Sequence, residues 1–197
     1  MRQRLFIVWF CLAGSIAYGQ DVKPMNFSVN AGVGWFHYIN TLKIGATRIN
    51  EDKVGFSFRI FWEPEHKLSL GIESGYYKIY SFEKNATVAN PLVGEAKLSA
   101  LPILLCFKMR ILPNFYLTGG PGVTILYSEV TALGSTAESS QISLANVQIS
   151  ALYQRPITDH LYVGAEFKFL NFGKTEDYGV ALMADVAYKF RFKPKTK

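Results

Sequence analysis

Between about Met25 and Phe192 the chain alternates apolar and polar residues with a period of two, and it does so eight times between turn-like segments. A strand sends successive side chains to opposite faces, so each such stretch has one apolar and one polar face. Phe56, Phe58, Ile60 and Trp62 stand against Gly55, Ser57 and Arg59, and Phe167 and Phe169 stand against Glu166 and Lys168. The alternation predicts strands over 26–38, 53–62, 68–82, 100–110, 115–127, 142–154, 161–172 and 178–192. The connections between them run long, short, long, short, long, short and medium: 39–52, 63–67, 83–94, 111–114, 128–141, 155–160 and 173–177. That asymmetry belongs to transmembrane barrels, with short periplasmic turns and longer outer loops, and strands of about ten tilted residues cross the hydrocarbon layer.

Alternation alone leaves open which face points inward, so a secreted soluble barrel with an apolar cavity, of the lipocalin kind, is the competing architecture. The polar face separates the two. It carries Gly32, Gly34, Gly55, Gly71, Gly75, Gly120, Gly122, Gly164 and Gly179 with Ser, Thr and Asn, where a solvated exterior would carry long Lys and Glu chains. Small residues suit the crowded interior of an eight-stranded barrel, so the polar face is the lumen and the apolar face meets lipid. Trp35, Trp62, Tyr76, Tyr127, Tyr153, Tyr188 and Phe192 fall near strand ends, where interfacial girdles are expected. The expected fold is all-β: an eight-stranded antiparallel up-and-down transmembrane β-barrel.

The stretch Leu101-Pro102-Ile103-Leu104-Leu105, a basic residue before Pro113, and Tyr116-Leu117-Thr118-Gly119-Gly120-Pro121 resemble the central hairpin of the porin-family, PorT-like outer-membrane β-barrel domain. The resemblance extends in pattern over about Asn26 to Phe192, but its residue-level content is mostly this hairpin. It implies a fold and a location, the bacterial outer membrane, and it permits a role in a secretion or envelope-assembly machine. The matched positions are architectural, so no functional residue is carried over.

Residues 1–19 read as a cleaved signal peptide: Arg2 and Arg4, an apolar run from Leu5 to Ala17, and small residues at Ala17 and Gly19, with a cut after Gln20 as the alternative. Val8-Trp9-Phe10 before Cys11 is not a lipoprotein cleavage box. Residues 20–197 are then one barrel domain ending in a short basic tail that contains Lys193, Lys195 and Lys197. The remaining part keeps Cys106 alone, which excludes an intrachain disulfide. The net charge of +6 does not imply nucleic acid, since the chain is exported and has no basic face.

The polar face also carries charge: Arg59, Lys108, Arg110, Lys168, Lys189 and Arg191 against Glu73, Glu166 and Asp185. Such groups are costly inside a barrel unless paired or wet. Hairpin adjacency suggests Arg59 with Glu73 and Lys168 with Asp185. The set reads either as an anion filter or as ion pairs that, with Tyr77, Tyr116 and Tyr162, plug the lumen. Eight strands leave room for little more than side chains, which favours the plug.

Three scattered histidines make a metal site improbable, and no cofactor is expected. His37 beside Ser81 or Ser128 is the one conceivable catalytic dyad, and a lone rim histidine is more often a girdle residue. The sequence therefore points to a monomeric, non-enzymatic protein with a structural or interaction role. Its outer loops are the contact surface, and its partners are outer-membrane lipid and envelope or secretion proteins. A small-solute porin, an envelope-assembly component and a lipid A-modifying enzyme are the competing functions.

Overall fold

Side chains that alternate over this length force long, curved strands, and nine are formed in a computed structural model that describes residues 25–39, 49–64, 67–84, 94–132, 135–172 and 178–192. They are β1 (Met25–Ile39), β2 (Ile49–Asn50), β3 (Asp52–Trp62), β4 (Leu68–Lys84), β5 (Gly94–Leu112), β6 (Phe115–Ala132), β7 (Ser135–Pro156), β8 (Leu161–Asn171) and β9 (Tyr178–Phe192). The two-residue β2 runs just ahead of β3 and pairs with the outer end of β4. The other eight form one antiparallel sheet in the order β4-β3-β1-β9-β8-β7-β6-β5, and pairing of β4 with β5 closes the ring. The expected signal peptide and the basic tail, with most of 39–52 and 83–94 and all of 173–177, lie outside the described residues.

Register keeps like faces together. In β1 and β3, Val33 stands opposite Phe56 and Ala31 opposite Phe58, while Asn30 stands opposite Arg59. Directly opposed residues share a face, so apolar rows join around the outside and polar rows around the inside. Phe58 and Phe167 are 48% and 52% exposed, whereas Arg59 and Lys168 are each at 0%. An exterior of Phe, Ile, Leu and Val around a charged interior is the inverse of a water-soluble barrel. The girdle residues expected from the sequence all face outward: Trp35, Trp62, Tyr76, Tyr127, Tyr153, Tyr188 and Phe192.

One connection differs from expectation. Residues 128–141, read from sequence as a polar loop, are mostly strand, with Ser128 opposite Ser139, Glu129 opposite Glu138 and Thr131 opposite Thr136. Beyond the lipid both faces of a ribbon meet water, so the apolar–polar alternation vanishes while the backbone pairing persists. β5 starts early, at Gly94, for the same reason. The β5–β6 turn at the other end is Pro113-Asn114, where Asn114 has φ 64°, a left-handed conformation that asparagine tolerates better than most residues.

Candidate functional site

Arg59 on β3 is the centre of the lumen. Its Nη1 and Nη2 donate to Glu166 Oε1 and Oε2 at 2.6 and 2.7 Å, and Nη2 also donates to Asp185 Oδ2 at 2.8 Å. Glu73 is the register partner of Arg59, yet its Oε2 is 4.0 Å from Arg59 Nε. Glu73 instead accepts from Lys168 Nζ on β8 and from Gln148 Nε2, the latter at 2.8 Å. Lys168 Nζ also lies 3.5 Å from Glu166 Oε2. Ser150 donates to Glu166, and Gln154 Nε2 donates to Asp185 Oδ1 at 2.6 Å. Of the neighbour pairings expected from hairpin adjacency, Arg59 with Glu73 is present as a long 4.0 Å contact between register partners, while the short bonds of Arg59 go to Glu166 and Asp185. Lys168 takes Glu73 rather than Asp185, because long side chains in a narrow lumen reach the far wall as easily as the adjacent strand.

A second tier lies toward the short turns. Lys108 Nζ is 2.8 Å from Glu63 Oε1, and Lys189 Nζ is 3.1 Å from Glu63 Oε2. Ser28 also donates to Glu63 Oε1, at 2.8 Å. Burial pushes the Glu63 carboxyl up, but Lys108 and Lys189 overrule it and hold it down at about 2. Lys108 and Lys189 sit 4.6 and 4.3 Å from the ring centres of Tyr116 and Tyr162. Gln154 links the tiers, accepting from Lys108 at 3.3 Å while donating to Asp185. Glu63 was missed from sequence because it stands just after a strand, in a segment read as a short turn. Of the expected network, Arg110 and Arg191 are exposed, since they stand at the strand ends facing the short turns, where water solvates a charge that needs no partner.

The half of the lumen nearer the long connections holds an apolar cluster beside buried Thr124, Ser143 and Asn146. Phe36, Tyr38, Tyr77, Ile79, Leu170, Phe172 and Met183 form a buried cluster, with the Phe36 ring 5.3 Å from Tyr77 and 6.2 Å from Phe172. Glycine makes room for it: a Cβ on Gly179 would lie 2.4 Å from the Phe36 ring, and one on Gly55 2.7 Å from Tyr77. The Tyr77 hydroxyl accepts from Lys168 at 3.5 Å, joining the aromatic layer to the ion network.

At the rim, His37 Nδ1 and Trp35 Nε1 are both 2.9 Å from Asp52 Oδ1, and the two rings stack at 5.5 Å. Ser81 accepts from Lys53 at 2.8 Å. His37 is thereby held by a carboxylate, and Ser81 by a cation rather than a base. Among the described residues no group of three or more His, Cys, Asp or Glu could hold a metal. A pocket of about 900 Å³ opens among the outer strand extensions, lined by Lys53, Lys78, Lys97, Glu129 and Glu138 with several serines.

The closed antiparallel ring, the apolar exterior and the charged interior define the class: an eight-stranded outer-membrane β-barrel. No family model and no curated protein matches the chain. Solved structures do. Ail of Yersinia pestis, the attachment invasion locus protein, solved with the heparin analogue sucrose octasulfate, is 13% identical with TM-score 0.55, covering 84% of this chain and 99% of Ail. Neisserial surface protein A is 18% identical with TM-score 0.53, covering 83% of this chain and 97% of its own. A major outer membrane protein from Thermus thermophilus is 12% identical with TM-score 0.50, over 84% and 99%. At these identities the likeness is one of fold.

Proposed function

We propose that the protein is a closed, non-enzymatic outer-membrane barrel with a structural or interaction role, whose outer strand extensions are the contact surface. The observation that carries this reading is the fully buried network of Arg59, Glu73, Glu166, Lys168 and Asp185 beneath a cluster of Phe36, Tyr77 and Phe172. Together they fill the bore with side chains that hold one another. The chemistry of the protein then lies outside the bore, and among the described residues β4 to β7 are the longest strands, which supports the role of contact surface. Planar-bilayer recording tests it: purified protein gives no steady current of porin size, and open-channel currents from the unmodified protein would overturn the closed barrel.

A second reading, a component of a secretion or envelope-assembly machine of the PorT-like kind, is favoured by the β5–β6 hairpin from Leu101 to Pro121. Cross-linking from Ser140→Cys in the outer membrane, followed by identification of the partner, separates the two. Capture of a secretion component supports the machine, whereas capture of a surface ligand supports the free-standing interaction protein.

A further inference from the structure

We propose that the mouth of the barrel at the short-turn end is a binding site for a phosphate group. A pocket of about 220 Å³ there is lined by Glu63, Lys67, Lys108, Arg110, Tyr116 and Lys189, among others. That is room for a phosphate with several waters, each occupying about 30 Å³. Four cations meet one carboxylate, and that carboxylate is fully engaged: Oε1 holds Lys108 and Ser28, and Oε2 holds Lys189.

Lys67 and Arg110 have no ion-pair partner among the described residues. The fold nonetheless sets them side by side, since the Arg110 N–H donates to the Lys67 carbonyl at 3.1 Å. Like charges opposed across a strand pair repel, and an anion between them removes the repulsion. The planar guanidinium offers parallel N–H donors suited to two phosphate oxygens, and the lysines supply compact charge beside it. Tyr116 walls one side, holding Lys108 against its ring. The same phosphate chemistry is offered by inorganic phosphate in solution and by the headgroup of an anionic phospholipid in the adjoining leaflet.

The test uses the folded full-length barrel in an uncharged detergent. Inorganic phosphate is titrated by calorimetry, and in parallel the barrel is placed in phosphatidylcholine nanodiscs with and without phosphatidylglycerol, the retained lipid being counted by native mass spectrometry. Arg110→Gln and Lys67→Gln alter exposed side chains, and heat-modified gel mobility verifies that both variants fold. Arg155→Gln removes an exposed charge that does not line the pocket. Saturable phosphate binding weakened about tenfold or more by Arg110→Gln and Lys67→Gln, but not by Arg155→Gln, assigns the site to free phosphate. Selective retention of phosphatidylglycerol with the same variant pattern assigns it to a lipid headgroup. Absence of both, or equal loss in all three variants, overturns the proposal.

Discussion

Arg59 and Glu166 meet inside the barrel through two parallel N–H···O bonds of 2.6 and 2.7 Å, although β1 and β9 separate their strands in the sheet. The pair ties opposite parts of the wall together through the lumen, independently of the backbone ladder. Removing one partner of such a pair leaves an under-compensated buried charge. Glu166→Gln should therefore lower unfolding stability by about 3 kcal/mol, read from urea titration in detergent. Arg59→Met combined with Glu166→Leu should cost less than the two single changes together. Simple additivity would show that the two side chains are not coupled.

Acid should weaken the short-turn mouth. Glu63 has a carboxyl pKa lowered from 4.5 to about 2 in the folded protein, so the folded state favours its charged form. The stability it contributes is complete above pH 4.5 and is lost as pH falls toward 2. The shift corresponds to roughly 3 kcal/mol. Glu63→Gln should lower stability at neutral pH and flatten the acid limb of the stability curve. An unchanged acid limb in that variant would place the acid sensitivity elsewhere.

The aromatic cluster leaves no space at Gly179. A methyl group there meets the Phe36 ring at 2.4 Å, while one at Gly94 meets nothing closer than the Thr131 carbonyl at 3.7 Å. Gly179→Ala should cost about 1–3 kcal/mol through overpacking, and Gly94→Ala should be close to neutral. Phe36→Leu in the Gly179→Ala background should restore part of the loss. Equal stability of the two alanine variants would contradict the packing described.

Orientation can be read by labelling. Among the described residues the one thiol, Cys106, is buried, so protein from which residues 1–19, and with them Cys11, have been removed should stay silent toward a membrane-impermeant maleimide. Ser140→Cys, on the exposed β7 extension, should react on intact cells, and Thr158→Cys, in a short turn, only after the envelope is permeabilised. The opposite pattern would invert the barrel in the membrane.

Much of this architecture is written in residues such as Phe58, Arg59 and Ile60, whose alternation assigns each side chain to lipid or lumen before any strand has a partner. Lipid on one side and a narrow interior on the other impose opposite chemistry on adjacent residues, and that contrast has a period legible in one dimension. Where the contrast ends, the signal ends too. Ser128 to Ala132 and Ser135 to Gln141 pair as strands, with nothing in their polarity to mark the pairing. Glu63 belongs to the ion network from a position just outside the alternating stretch.

Partner choice needed closure. Arg59 and Glu166 are 107 residues apart, and Phe36 meets Phe172 only because β1 and β9 pair and bring the two ends of the chain together in the sheet. Alternation along one strand determines that a side chain points inward. Which inward-pointing groups touch depends on the stagger and diameter of the closed barrel, quantities set by all eight strands together.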